Sequence, residues 1–150
     1  MDLHPDWKEF IALLNSHDVE FVIVGAYAVC FYTTPRFTAD IDILVANSAT
    51  NAAKVRDALT EFGITITDLE ATKLQLPNHM IQLGIAPYRI DILTSIDGVS
   101  TQGIFDRRVF GTLGGDVVSF PSREDLLAAK RASGRPKDLD DIRRLQRAMG

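Results

Sequence analysis

At 150 residues and 46% hydrophobic content, the chain is long enough for one domain with a substantial core and too short for two comfortable ones. No window reaches the apolar length of a bilayer span, and Met1-Asp2-Leu3-His4-Pro5-Asp6 lacks a charged-then-apolar signal pattern, so a cytoplasmic protein without membrane attachment is expected. The net charge is −4, unevenly spread: residues 122–150 carry eight Lys and Arg against five Asp and Glu, and residues 1–121 carry eight against fifteen. The acidic body suits cations and the basic tail suits phosphates, while no continuous basic stripe argues for long nucleic acid. The single cysteine, Cys30, can form no internal disulfide and lies in an apolar run, so packing is its expected role.

Trp7, Phe10, Ile11 and Leu14 recur at helical spacing and predict an amphipathic helix from Asp6 to about Asn15. Val19 to Val24 reads as a buried strand stopped by Gly25, and Ala26 to Tyr32 as a short apolar helix. The first amides of that helix are free to hold a phosphate. Thr33 to Thr38 connects to a strand over Asp40–Ala46. Ser48 is the expected cap of the next helix, whose inner face is Ala49, Ala52, Val55 or Arg56, Leu59 and Phe62, closed by Gly63.

Ile64 to Leu76 reads as a short strand and a loop. Met80–Ile85 and Tyr88–Leu93 read as two strands around Ala86-Pro87, a hairpin. Ser95 to Gly115, with five glycines, reads as loop with one helical turn near Phe105–Val109, and Asp116–Phe120 as the last strand. Ser122, with Asp125 three residues on, opens a helix reaching about Ala132. Gly134-Arg135-Pro136 interrupts it before a final helix with Leu139, Ile142 and Leu145 on the buried side.

The chemistry concentrates in Asp40 and Asp42. Strand residues two apart share a face, so both carboxylates stand side by side at the start of an Ile/Leu/Val run. Two like charges there repel, and each is costly to bury unpaired; a divalent metal makes the pair favourable. Asp91, between Ile90 and Ile92, adds a third strand carboxylate. Arg89 shares its face, yet three carboxylates against one Arg leave negative charge in excess. Two divalent cations would balance it, and such sites clamp phosphates for in-line displacement. A phosphatase nucleophile or a glycosyltransferase Asp-x-Asp follows a strand, whereas here the apolar run continues through the pair. A dinucleotide fold is disfavoured because no further glycines follow Gly25 at the needed spacing.

The segments Gly25-Ala26-Tyr27-Ala28 through Arg36-x-Thr38-x-Asp40-Ile41-Asp42, then Arg89-Ile90-Asp91-Ile92-Leu93, then Lys130 through Gly134-Arg135-Pro136-Lys137-Asp138, resemble the polymerase β-like nucleotidyltransferase superfamily. Within it the chain looks like the small proteins grouped near the abortive-infection (AbiEii) toxin nucleotidyltransferases. The resemblance implies one α/β (α+β) domain over 1–150 with its core at about 19–145, a mixed sheet flanked by helices. It implies transfer of a nucleoside monophosphate from an NTP such as ATP to an acceptor that is a tRNA, a protein or a small molecule, with Mg²⁺ or Mn²⁺ as cofactor. Asp40, Asp42 and Asp91 would be catalytic and hold the metals, Asp91 also activating the acceptor hydroxyl. Gly25 and Ala26 would cradle the β- and γ-phosphates, Arg36 and Thr38 would lie at the mouth, and Lys130 and Lys137 would be triphosphate ligands. A toxin–antitoxin role, with an antitoxin or a second copy as partner, comes with the same resemblance.

Two departures stand out. The turn is Gly25-Ala26 where the family has Gly-Gly or Gly-Ser, which removes a phosphate-binding hydroxyl. The chain ends at Gly150, so the acceptor site is expected from this domain, a second subunit or a partner. Both leave open an alternative, a catalytically inactive nucleotide-binding or protein-interaction module of the same fold.

Overall fold

The first apolar stripe becomes helix α1 (Pro5–Ser16), with Trp7, Phe10, Ile11 and Leu14 buried. Its N-terminus is capped by His4, whose Nδ1 accepts from the Asp6 amide. The structure is a computed structural model and describes residues 3–34, 38–85 and 88–149. Strand β1 (Phe21–Val24) runs directly into helix α2 (Gly25–Tyr32). Strand β2 (Asp40–Val45) follows, then helix α3 (Ala49–Glu61), capped by the Ser48 hydroxyl. A short helix α4 (Asp68–Lys73) precedes strands β3 (Met80–Leu83) and β4 (Arg89–Leu93). Helix α5 (Thr101–Asp106), strands β5 (Val109–Leu113) and β6 (Asp116–Phe120), and helices α6 (Arg123–Ser133) and α7 (Pro136–Met149) complete the chain.

The main sheet has the order β1-β2-β4-β3. Its outer pairs are antiparallel and its central pair, β2 with β4, is parallel, so the mixed sheet expected from the sequence is present. Alternation divides its residues between two faces. Ile23, Ile43, Ile92 and Ile81 point into the main core with α1, α2 and α3. Val22, Val24 and Leu44 join Ile104 of α5 in a smaller cluster on the other face. That second face carries the acidic residues. β5 and β6 form a separate two-stranded sheet, tied to β1 by the Ser119 hydroxyl donating to the Phe21 carbonyl at 2.9 Å.

Several expectations require correction. No strand forms between Ile64 and Leu76; the Thr67 and Glu70 side chains make a reciprocal capping box and start α4 instead. The span Ser95–Gly115 is not loop: Ser100 caps α5, upstream of the expected turn, and Val109–Leu113 is strand, paired with β6. Gly111 suits that strand because the Phe31 ring lies where a side chain would stand. On α3, Ala49 is exposed and Val55 is the inward residue, while Arg56 pairs with Asp68. On α7, Leu139 is 54% exposed, because Asp138 and Asp141 take the inward positions beside Leu145. The antiparallel pairing of β3 and β4 agrees with a hairpin, and its Ala86-Pro87 tip lies outside the described residues.

Candidate active site

Strand register assembles the site. Val24, Asp42, Asp91 and Gln82 lie side by side across all four strands, and the parallel β2–β4 pairing places Asp40 beside Arg89 two residues earlier. All six positions share the sheet face opposite the main core. Above them opens a cleft of about 430 Å³. Gly25, Asp40, Asp42, Arg89 and Asp91 line its floor, Lys130, Arg135 and Lys137 line the α6–α7 side, and Met80, Ser95, Ile96 and Asp97 line the rest.

The carboxylates crowd one another. Burial, followed by the negative charge of Asp91 and a hydrogen bond shared with it, pushes Asp42 up to about 6. Arg89, set aside as a partner on charge count, does engage the cluster. Its Nε donates to Asp91 Oδ1 at 2.8 Å, and its Nη2 donates to Asp91 Oδ2 at 3.0 Å and to Asp40 Oδ2 at 3.2 Å. Asp40 Oδ1 is buried without a hydrogen-bond partner. With the guanidinium between Asp40 and Asp91, no three acidic, His or Cys side chains converge on a single point among the described residues.

Gly25 has φ +69°, in the left-handed region, and a β-carbon there would overlap the Asp42 carboxylate. The turn from β1 into α2 therefore brings the backbone itself against the acidic floor. Lys130 reaches the cleft from α6 as a buried side chain, 3.4 Å from Asp138 and 3.2 Å from Asp141. Burial pushes Asp138 up, but hydrogen bonds from Arg135 and Ser133 and the charge of Lys130 outweigh it and bring the group down to about 2. The Gly134-Arg135-Pro136 break thus places the first two turns of α7 where Asp138 and Asp141 grip Lys130.

The structure brings Gly25, Asp40, Asp42, Asp91, Lys130 and the exposed Lys137 into one cleft. Ala26 follows Gly25 in α2 but is not among the cleft-lining residues. Thr38 is buried beside the cleft, its hydroxyl donating to the Asp40 carbonyl at 3.3 Å and hydrogen-bonded to Tyr27. Arg36 lies outside the described residues. Sequence reasoning missed the engagement of Arg89 and the wall of Met80, Ser95, Ile96 and Asp97. The signal for Arg89 was its same-face spacing from Asp91; the wall, supplied by β3 and the loop after β4, left none.

Residues 5–150 match the model of a family described as nucleotidyl transferases of unknown function (DUF2204). No curated protein matches the chain. Among solved structures, the lincosamide antibiotic adenylyltransferase LnuA, in a lincomycin-bound crystal structure, is similar with a TM-score of 0.62 at 18% identity, covering 96% of each chain. The antibiotic-resistance factor ANT(2'')-Ia, crystallised with adenylyl-2''-tobramycin, gives 0.61 at 15% identity over 96% of this chain and 87% of that one. A Thermotoga maritima protein assigned as a nucleotidyltransferase gives 0.61 at 17% identity over 97% and 96%. At these identities the likeness is one of fold.

Proposed function

This chain belongs to the DUF2204 nucleotidyl transferases, and from that premise we propose that it transfers a nucleoside monophosphate from an NTP to a hydroxyl group of a small molecule, with Mg²⁺ or Mn²⁺ as cofactor. The observation that carries the reading is the row of Asp42 and Asp91 with Asp40 on one sheet face, beneath a cleft whose opposite wall is basic.

The residues present fit a divalent cation. The donor set is all carboxylate oxygen, Asp40 Oδ1 is buried without a partner, and Asp42 carries an unfavourable negative charge that a cation relieves. Asp40, Asp42 and Asp91 would hold it. When bound, the cation supplies charge neutralisation at the phosphates. The chain's own residues do the rest. The backbone at Gly25 approaches the triphosphate without a side chain in the way, and Lys130, fixed by Asp138 and Asp141, places a positive charge beside it. Lys137 adds an exposed positive charge on the α6–α7 side of the cleft. The acceptor oxygen forms a bond to the α-phosphorus, the α–β bridging P–O bond breaks, and pyrophosphate leaves. The hydroxyl proton passes to the Asp91 carboxylate, which the Arg89 fork holds in orientation.

A small-molecule acceptor is favoured over tRNA or protein by the fold shared with the lincosamide adenylyltransferase LnuA and with ANT(2'')-Ia, which was crystallised with adenylyl-2''-tobramycin. Base preference for ATP, the AbiEii grouping and a toxin–antitoxin role rest on the sequence resemblance alone. A cytoplasmic location rests on the sequence reading alone; no helix among the described residues is long and apolar enough to cross a membrane. The engagement of Asp40 and Asp91 by Arg89 favours a second reading, a nucleotide-binding module without transfer activity. Thermal denaturation with Mg²⁺ and each of the four NTPs tests both. A rise in melting temperature with at least one NTP is expected, and no rise with any of them would overturn both.

A further inference from the structure

The Arg89 guanidinium occupies the position where the acidic floor calls for positive charge. Its three contacts take both oxygens of Asp91 and one of Asp40. The remaining oxygen, Asp40 Oδ1, is buried and unpartnered. A fixed positive charge beside these oxygens repels any cation approaching them, and the lone pairs directed at N–H groups are shared rather than free. The arrangement belongs to the sheet and not to a loop, because the parallel register fixes Asp40 next to Arg89 and Asp42 next to Asp91. The Arg89 side chain is 29% exposed, against 6% for Asp91. It therefore has solvent to move into and Asp91 does not, while Asp40, at 36%, is the more exposed of its two partners.

We propose that Arg89 is an internal counter-ion that competes with the divalent cation for Asp40 and Asp91 and so sets the affinity of the metal site. The inference rests on the metal-binding role given above to the three carboxylates. Arg89 is a positioning residue here: it keeps Asp91 oriented through its fork and yields its Asp40 contact when a cation arrives. Metal loading and release of the guanidinium from Asp40 become one event, which couples cation binding to the geometry of Asp91.

The test is Mn²⁺ binding to chelator-treated, buffer-exchanged protein, read as free Mn²⁺ by electron paramagnetic resonance. Wild type binds, Asp42→Asn binds more weakly, and Arg89→Gln binds roughly tenfold tighter, the scale expected when one nearby, partly screened positive charge is removed. Arg89→Lys keeps the charge but loses the fork, and falls between wild type and Arg89→Gln. Circular dichroism accompanies each variant; if Arg89→Gln does not fold, Arg89→Lys carries the test and must bind more tightly than wild type. Equal or weaker Mn²⁺ binding by the Arg89 variants, with Asp42→Asn still weakened, overturns the role of Arg89 and leaves the metal site standing. Absence of Mn²⁺ binding by wild type overturns both.

Discussion

Gly25 and Asp42 are packed so closely that a β-carbon on the glycine would overlap the Asp42 Oδ2. The relationship follows from register: Val24 pairs with Asp42 across β1 and β2, and the next residue turns over that carboxylate with φ +69°. Position 25 thus excludes side chains on two independent grounds. Gly25→Ala is expected to lower stability by about 2 kcal/mol or more, from the left-handed backbone and the overlap together. The same change displaces Asp42, so the NTP-dependent rise in melting temperature is lost as well. Urea denaturation and a thermal shift with Mg²⁺ and NTP read the two effects separately.

Asp42 shows the opposite coupling of function to stability. Its carboxyl is pushed up to about 6, above the ordinary 3.8, by burial and then by Asp91. The favourable contribution of a raised carboxylate is complete below its unfolded value and is lost as pH rises through the folded one. At pH 8 the charge is present and costs stability. Asp42→Asn in chelator at pH 8 is therefore expected to melt a few degrees above wild type, since about 1 kcal/mol moves a domain of this size by roughly 2–8 °C. With Mg²⁺ and NTP added, wild type rises and the variant does not.

Asp138 carries the reverse sign. Its folded value of about 2 lies below 3.8, so its contribution is complete above the unfolded value and disappears as pH falls through the interval between the two. Asp138→Asn leaves Lys130 with Asp141 alone and leaves Arg135 without its partner. The variant is expected to be less stable than wild type at pH 6, and the deficit to shrink toward pH 2.5. Urea midpoints at the two pH values measure it. A deficit that does not change with pH would show that Asp138 acts through packing and not through charge.

The floor of the site was legible in the sequence because period-two alternation alone fixes which strand residues share a face. Asp40 with Asp42, and Asp91 between two isoleucines, needed no tertiary information, and Gly25 announced itself by ending a β-branched run. The partner of Arg89 did not follow in the same way. Its contact with Asp40 depends on the parallel register of β2 against β4, which joins residues 49 positions apart. Leu139 was misplaced because an apolar stripe was assumed on α7, where the buried stripe contains Asp138 and Asp141 gripping a lysine from another helix. Helix α4 was missed although Thr67 and Glu70 stand at capping-box spacing, because the alternation at Ile64 and Ile66 outweighed it. Strand β5 was missed because its glycine is explained by the rings of Phe31 and Phe120, neither of them near it in sequence.

Asp91 provides the most direct test of the nucleotidyl-transfer account, since the same carboxylate is assigned to the cation and to the acceptor proton. Purified protein, Mg²⁺ and each α-labelled NTP are incubated with a small-molecule fraction of cell extract, and labelled products are separated and counted. The account predicts a labelled acceptor and released pyrophosphate with wild type, and neither with Asp91→Ala. Nucleotide binding with no labelled product from any NTP, or equal labelling by wild type and Asp91→Ala, would contradict it.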